Sequence, residues 1–171
     1  MSRWSQFYAQ RVNSTYQDYF ENRYKLLLDI VSRYRSVTEE GIGIGSISKF
    51  LRKNGIQTSG IDLCQDMLEL CVLNNPGISV CQADIFTYEA ESDVVVTHGV
   101  LEHFDDDQIR EILYKYKSNG QKSIHYVPLI GHGVPSFGDE RLLEAEYWIA
   151  EFNPNQSYTF NQGKDLILIF N

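Results

Sequence analysis

Over the first 35 residues, aromatic and aliphatic side chains recur three and four positions apart: Trp4, Phe7, Tyr8, Val12, Tyr16, Phe20, Tyr24, Leu27, Leu28 and Val31. That period belongs to an amphipathic helix, or to two in succession, and predicts an N-terminal helical arm over 1–35 that serves as a lid or packing element. The pattern then changes. Ser36 to Glu40 reads as a short strand, a glycine cluster follows from Gly41 to Gly45, and Ser46 to Asn54 reads as a helix stopped by Gly55. A second strand is expected at Ile56 to Leu63, a helix at Gln65 to Asn74, and a third strand at Ile78 to Ala83 after the Asn75-Pro76-Gly77 turn. The run Asp93-Val94-Val95-Val96, inside a strand from Ser92 to Thr97, has the continuous apolar character of a strand covered on both faces. A helix at Asp105 to Ser118 and a strand at Lys122 to Val127 continue the alternation, which predicts an α/β fold with a mostly parallel sheet and helices on both sides, a three-layer sandwich.

The last third departs from that rhythm. A loop carrying Gly131, Gly133, Pro135 and Gly138 leads to an expected helix from about Asp139 to Phe152. Ser157 to Asn161 and Leu166 to Phe170, joined by Gln162-Gly163-Lys164-Asp165, read as a hairpin that adds one antiparallel strand. No internal repeat or linker interrupts the chain, and its 171 residues suit a single domain.

Composition narrows the partners. At 43% hydrophobic and 22% charged, the chain can bury a core of its own. Its net charge of −8, without a dense basic face, argues against nucleic acid, whose binding depends on phosphate neutralisation. Cys64, Cys71 and Cys81 lack metal-ligand spacing and are expected to be reduced core fillers of a cytosolic protein. The start, Met1-Ser2-Arg3-Trp4-Ser5-Gln6, lacks the apolar stretch of a signal peptide, and no run reaches the ~20 residues of a membrane helix. A soluble cytoplasmic protein with no membrane partner is the expectation.

The chemistry starts at the glycine cluster, where absent Cβ atoms let backbone approach a ligand. A dinucleotide fingerprint fails in its last glycine, which is Ser46 counted from Gly41 and Ser48 counted from Gly43. Glu39, two residues before the first glycine, would repel a pyrophosphate and suit a cationic amino group. Asp62, at the end of the second strand, is placed to accept from two ribose hydroxyls, which leaves a nicotinamide-dependent oxidoreductase open as an alternative. Asp84, after the third strand, could accept from an adenine amino group while Ile85 contacts the ring. Three carboxylates at successive strand ends suit a ligand with an adenosine and a positive end.

These residues resemble the class I S-adenosylmethionine-dependent methyltransferases of small bacterial type. Glu39-x-Gly41-x-Gly43-x-Gly45 is similar to the family's first motif, Gly60-Ile61-Asp62-Leu63 followed by Met67-Leu68 to its second, and Val100-Leu101-Glu102-His103-Phe104 to its Leu-Glu-His segment. The region Gly138 to Leu143, with Trp148 beyond, is similar to the stretch after strand five. The resemblance implies a Rossmann-like, seven-stranded sheet with the last strand antiparallel. It also implies S-adenosylmethionine as cofactor, S-adenosylhomocysteine as product, and Leu63, Met67 and Thr97 beside the three acids and the glycines in the cofactor site.

Methyl transfer needs an acceptor held in line with the methyl group and, for a protonated nucleophile, a base. His98 and His103, flanking the end of the fourth strand, are the candidate bases; each could equally be a hydrogen-bonded structural histidine. Glu102-His103 also resembles part of a metal pair of quinone-pathway methyltransferases, but the acid expected three before Glu102 is Gly99, so no metal is expected. Asp105-Asp106-Asp107 fits a helix cap and first turn better than a cation site. Arg52-Lys53 and Lys115-Tyr116-Lys117 read as solvated helix faces. The loop from His132 to Phe137 with Arg141 is a candidate acceptor wall, and Tyr8, Tyr16 or Tyr19 is a candidate for closure over the cofactor, although a core stripe explains most of the N-terminal period. Neither the Asn/Asp-Pro-Pro-aromatic signature of amide methylation nor a Pro-Cys nucleophile motif is present, so the expected acceptor is a small molecule methylated on oxygen or nitrogen. A module that binds the cofactor without turnover is the remaining alternative.

Overall fold

Three short helices stand where the aromatic period predicts one or two, because capping side chains restart the backbone. Helix α1 (Arg3–Tyr8) is capped by the Ser2 hydroxyl and is followed by a 3-10 turn at Ala9–Arg11. Asn13, in extended backbone, accepts from Tyr16 N–H and opens α2 (Ser14–Arg23), and Tyr24 breaks the ladder before α3 (Lys25–Val31). Phe20, Tyr24, Leu27, Leu28, Ile30 and Val31 form the buried face. The chain's start is tied down: Ser2 N–H donates to Asp66, in the first turn of α5 (Gln65–Asn74). The computed structural model describes residues 2–133 and 139–171.

Two compact units follow one another, residues 1–96 and 97–171. In the first, β1 (Ser36–Glu40) pairs in parallel with β2 (Gln57–Asp62) and with the start of β4 (Val94–His98), while β2 pairs with β3 (Ser79–Gln82). Helix α4 (Ser46–Lys53) links β1 to β2, and α5 links β2 to β3. Val94, Val95 and Val96 are fully buried, as their unbroken apolar run requires. Asp93 fixes the entry to β1 by accepting from the Arg35 and Ser36 amides.

In the second unit, α6 (Asp106–Ser118) begins with a capping box in which Asp105 and Gln108 satisfy each other's backbone, so the acidic triplet is a helix start. β5 (Lys122–Pro128), β6 (Gln156–Phe160) and β7 (Asp165–Phe170) follow, with β7 antiparallel to both neighbours. The hairpin turn uses left-handed backbone at Asn161, Gln162 and Gly163. The complete seven-stranded order is β3-β2-β1-β4-β5-β7-β6, a mostly parallel, Rossmann-like sheet whose last strand is reversed.

Helix α7 spans Ala145–Phe152, six residues later than the helix expected from Asp139. Residues 141–143 are held extended instead: Arg141 N–H donates to the Glu102 carbonyl, and Leu143 bridges Leu129. The cysteines also differ from a set of core fillers, since only Cys71 is buried, Cys64 is half-buried and Cys81 is exposed. Arg52 is no simple solvated face either; its guanidinium donates to the carbonyls of Asn75 and Pro76.

Candidate functional site

At the carboxyl end of β1 the chain turns on three left-handed glycines, Gly41, Gly43 and Gly45, with φ of 70°, 56° and 68°. Only glycine enters that region without strain, so the turn can be this tight. Ile42 N–H donates back to Ile61 O at 2.8 Å, and Ile42 is buried against Leu68, Cys71 and Ile78. Asn75 Nδ2 reaches the carbonyls of Ile44 and Gly45, and Asn74 Nδ2 reaches Ile44 O, so two amides brace the loop from beneath.

Glu39 and Asp62 lock this loop from either side. Glu39 Oε2 accepts from Ser48 N–H at 3.1 Å and from Ser48 Oγ at 2.6 Å, which places a carboxylate on one amide of the first turn of α4. Burial pushes the Glu39 carboxyl up to about 7, while the two Ser48 bonds pull it back. Phosphates bind the amides at a helix N-terminus. Here Glu39 is bonded to one of them and adds a like charge, so the arrangement opposes a pyrophosphate and favours an ammonium. Asp62 accepts from Gly43 N–H at 3.0 Å through Oδ2 and from Cys64 N–H at 2.9 Å through Oδ1. Its carboxyl is pushed up by burial against the pull of those amides. With the Leu63 amide also acting on this carboxylate, three amides leave at least one of its four lone-pair sites for a hydroxyl donor.

The other cofactor candidates fall around these two acids. Met67 is buried, its terminal methyl 3.6 Å from where a Gly43 Cβ would stand, and Leu63 is largely exposed. Asp84 is exposed and forms its own turn, Oδ1 accepting from Phe86 N–H at 3.0 Å, with Ile85 buried beside it. Thr97 differs from expectation: it is fully buried and its hydroxyl bonds His125 Nδ1 at 2.8 Å, so its side chain serves the core. His125 is held between Thr97 and Ser123, and burial drives it down to about 3, a neutral ring. Tyr8, in α1, stacks with Trp4 and lies in the aromatic group around the Arg11 guanidinium.

In the second unit, the carboxyl end of β5 gathers groups the sequence reading had left apart. His98, at the tip of β4, stacks on the Tyr126 ring with centroids 4.3 Å apart. Tyr126 OH donates to Asp165 Oδ1 at 2.8 Å, and His132 Nδ1 meets the same oxygen at 2.6 Å. His103 lies elsewhere, Nδ1 3.3 Å from Asp139 Oδ1, and its ring, Asp139 and Glu140 bring ligand-type atoms within 4.8 Å of one another. Glu102 beside it is buried, and burial with the nearby Glu140 and Asp139 charges pushes its carboxyl up to about 8. Arg141 is committed within the protein, its guanidinium donating to Phe104 O and Asp106 Oδ1, both at 2.7 Å, which counts against its proposed grip on an acceptor anion. Phe137 lies outside the described residues.

Tyr126 and Asp165 escaped the sequence reading. Asp165 counted there as a turn residue, and nothing local marks it as the buried first residue of a strand. The reversed β7 brings it opposite Pro128.

Residues 37–119 match the family model described as a methyltransferase domain. An uncharacterised methyltransferase, OB1106 of Oceanobacillus iheyensis, is 26% identical over 143 residues; the match covers 80% of this chain and 63% of that protein's length. The PH0226 protein of Pyrococcus horikoshii superposes with a TM-score of 0.74 at 13% identity, covering 94% of this chain and 92% of that one. A SAM-dependent methyltransferase of Archaeoglobus fulgidus gives 0.72 at 14% identity over 98% and 99%. Over residues 37–119 the chain is similar in sequence to methyltransferase domains, and over nearly its whole length it shares the fold of a solved SAM-dependent methyltransferase.

Proposed function

We propose that the protein is a class I S-adenosylmethionine-dependent methyltransferase that transfers the cofactor's methyl group to an oxygen or nitrogen atom of a small-molecule acceptor, in the cytoplasm. The observation that carries the cofactor half is the pair of anchored acids: Glu39 on the Ser48 amide of α4 and Asp62 bridging Gly43 to Cys64. A buried acid at this point stabilises the ammonium of a methionine-derived tail, and Asp62 is pre-positioned for ribose hydroxyls. The acceptor half is supported by the net charge of −8 and the lack of a dense basic run, which disfavour nucleic acid. The acceptor's nucleophilic atom would attack the methyl carbon as the C–S bond breaks.

Isothermal titration tests the cofactor half. S-adenosylmethionine and S-adenosylhomocysteine are expected to bind in the micromolar range, and Asp62→Ala to weaken both by about tenfold or more, one or two hydrogen bonds to a charged acceptor being lost. No heat at high micromolar ligand, or a larger thermal shift with NAD, would overturn the reading. A tritium-release survey of phenols, alcohols, carboxylates and amines tests the acceptor half, and activity confined to nucleic acid or protein would refute it.

A further inference from the structure

We infer that Gln17 and Ser46 hold the amino-acid end of the cofactor, Gln17 Oε1 accepting from its ammonium and Ser46 Oγ donating to its carboxylate, so that the N-terminal arm is part of the cofactor site. The inference rests on the methyltransferase reading above and deepens it to two residues that the sequence did not single out.

Gln17 lies on α2 and is 2% exposed; Ser46 opens α4, directly after the glycine turn, and is 5% exposed. The Gln17 amide nitrogen spends both its hydrogens, one on Ser46 O at 3.0 Å and one on Glu21 Oε1 at 2.9 Å. Two acceptors on that side fix the amide's orientation, because turning it over would set oxygen against oxygen. Gln17 Oε1 therefore faces the other way, where it is buried and accepts from nothing among the described residues. Ser46 Oγ is also buried without a hydrogen-bond partner among them, and Gly45, as the N-cap, has no side chain to offer the first turn. Buried polar atoms are nearly always paired, so an unpaired one marks a place where something else supplies the partner. Here two such atoms stand on one bonded pair of residues beside the glycine turn.

Their chemistry complements an amino acid. An amide oxygen only accepts, and the strongest donor it can meet is an ammonium; a hydroxyl can donate, and the strongest acceptor it can meet is a carboxylate. Glu39, bonded to Ser48 in the same turn of α4, adds the negative charge that favours an ammonium over a neutral donor. An adenosine ligand without the amino-acid end would leave both atoms unmet, which makes the pair a selectivity device. Gln17, Ser46, Glu39 and Asp62 all belong to the first unit. Gln17 is carried on a helix of its own, bounded by Asn13 and Tyr24 and tied to α4 by the Gln17–Ser46 bond and the Lys53–Glu21 pair. With α2 in place both atoms are covered, so entry of the tail requires α2 to give way.

Isothermal titration with S-adenosylhomocysteine and two of its analogues, one lacking the carboxylate and one lacking the amino group, tests the assignment. Ser46→Ala removes an atom that bonds nothing in the protein, so its Tm without ligand should stay at or above the wild-type value. Its affinity for S-adenosylhomocysteine should fall about tenfold, while its affinity for the analogue without the carboxylate stays that of the wild type. Gln17→Met, of similar length, should lose about tenfold on S-adenosylhomocysteine and nothing on the analogue without the amino group. Analogues too weak for direct titration are read by displacement of S-adenosylhomocysteine. Equal losses on the full ligand and the matching analogue would make the residue a structural support and overturn its assignment, as would wild-type affinity in the variant. A lowered Tm in Ser46→Ala would show the hydroxyl to be satisfied within the protein and would overturn its share. Each of these results leaves the methyltransferase reading standing. No binding of S-adenosylhomocysteine to the wild-type protein overturns that reading and this one together.

Discussion

Gly45→Ala is expected to unfold the glycine loop's support, lowering stability by about 2–5 kcal/mol and abolishing S-adenosylmethionine binding. Two costs add. Gly45 sits at φ +68°, where a side chain costs roughly 1–2 kcal/mol. The new Cβ would also stand 2.7 Å from Cys71 Sγ and 2.8 Å from Asn75 Nδ2, both inside the packed layer beneath the loop. Asn75 cannot retreat without giving up its bonds to the carbonyls of Ile44, Gly45 and Cys71, buried bonds whose loss costs about 1–3 kcal/mol in all. Gly55→Ala supplies the control. Gly55 shares the left-handed backbone, at φ +76°, but has nothing within 4 Å of the same Cβ, so it should lose only the strain share and keep the cofactor. Thermal unfolding separates them, since roughly 2–4 °C accompanies each kcal/mol in a chain of this size. Equal losses in the two variants would mean that Asn75 and Cys71 do not brace the loop.

That contrast also shows why some of the molecule was legible in its sequence. Three glycines preceded by an acid state their own geometry, because backbone requirements are local. The same holds for Asp105 and Gln108, whose capping box is written in four consecutive residues, and for the valine run of β4. Side-chain roles that depend on distant partners were not legible. Ser48 bonds Glu39 across nine residues, and Thr97 bonds His125 across 28, which turns an expected cofactor contact into a core hydrogen bond. His132 meets Asp165 across 33 residues through a strand reversal that the hairpin pattern predicts without its register. The late start of α7 has the same origin: Arg141 satisfies its backbone and guanidinium on residues 102 to 106, and that tertiary demand overrides helix propensity from Asp139 onward.

Glu102→Gln should stabilise the protein at pH 8 and leave it nearly unchanged at pH 5. Glu102 is buried, its Oε2 lacks a hydrogen-bond partner among the described residues, and its carboxyl is pushed up to about 8 by burial and by the Glu140 and Asp139 charges. In the unfolded chain the same group ionises near the ordinary glutamate value. Its contribution to stability is therefore fully present below that value and is lost as pH rises through about 8, because the unfolded state releases a proton that the folded state retains. Each pH unit in that window costs about 1.4 kcal/mol, so the total is on the order of 5 kcal/mol at most. Glutamine keeps the shape without the ionisation. Other groups titrate in the same interval: Glu39, raised to about 7, also loses stability with rising pH, while His125, lowered to about 3, gains it. Both cancel when the variant is subtracted from the wild type at each pH. Urea unfolding at pH 5, 6.5 and 8 should thus give a difference that starts near zero and grows in favour of the glutamine. A difference that stays flat across the three would show Glu102 to be ionised and solvated in the folded protein, and the packing around Leu101 to His103 to be looser than this structure has it.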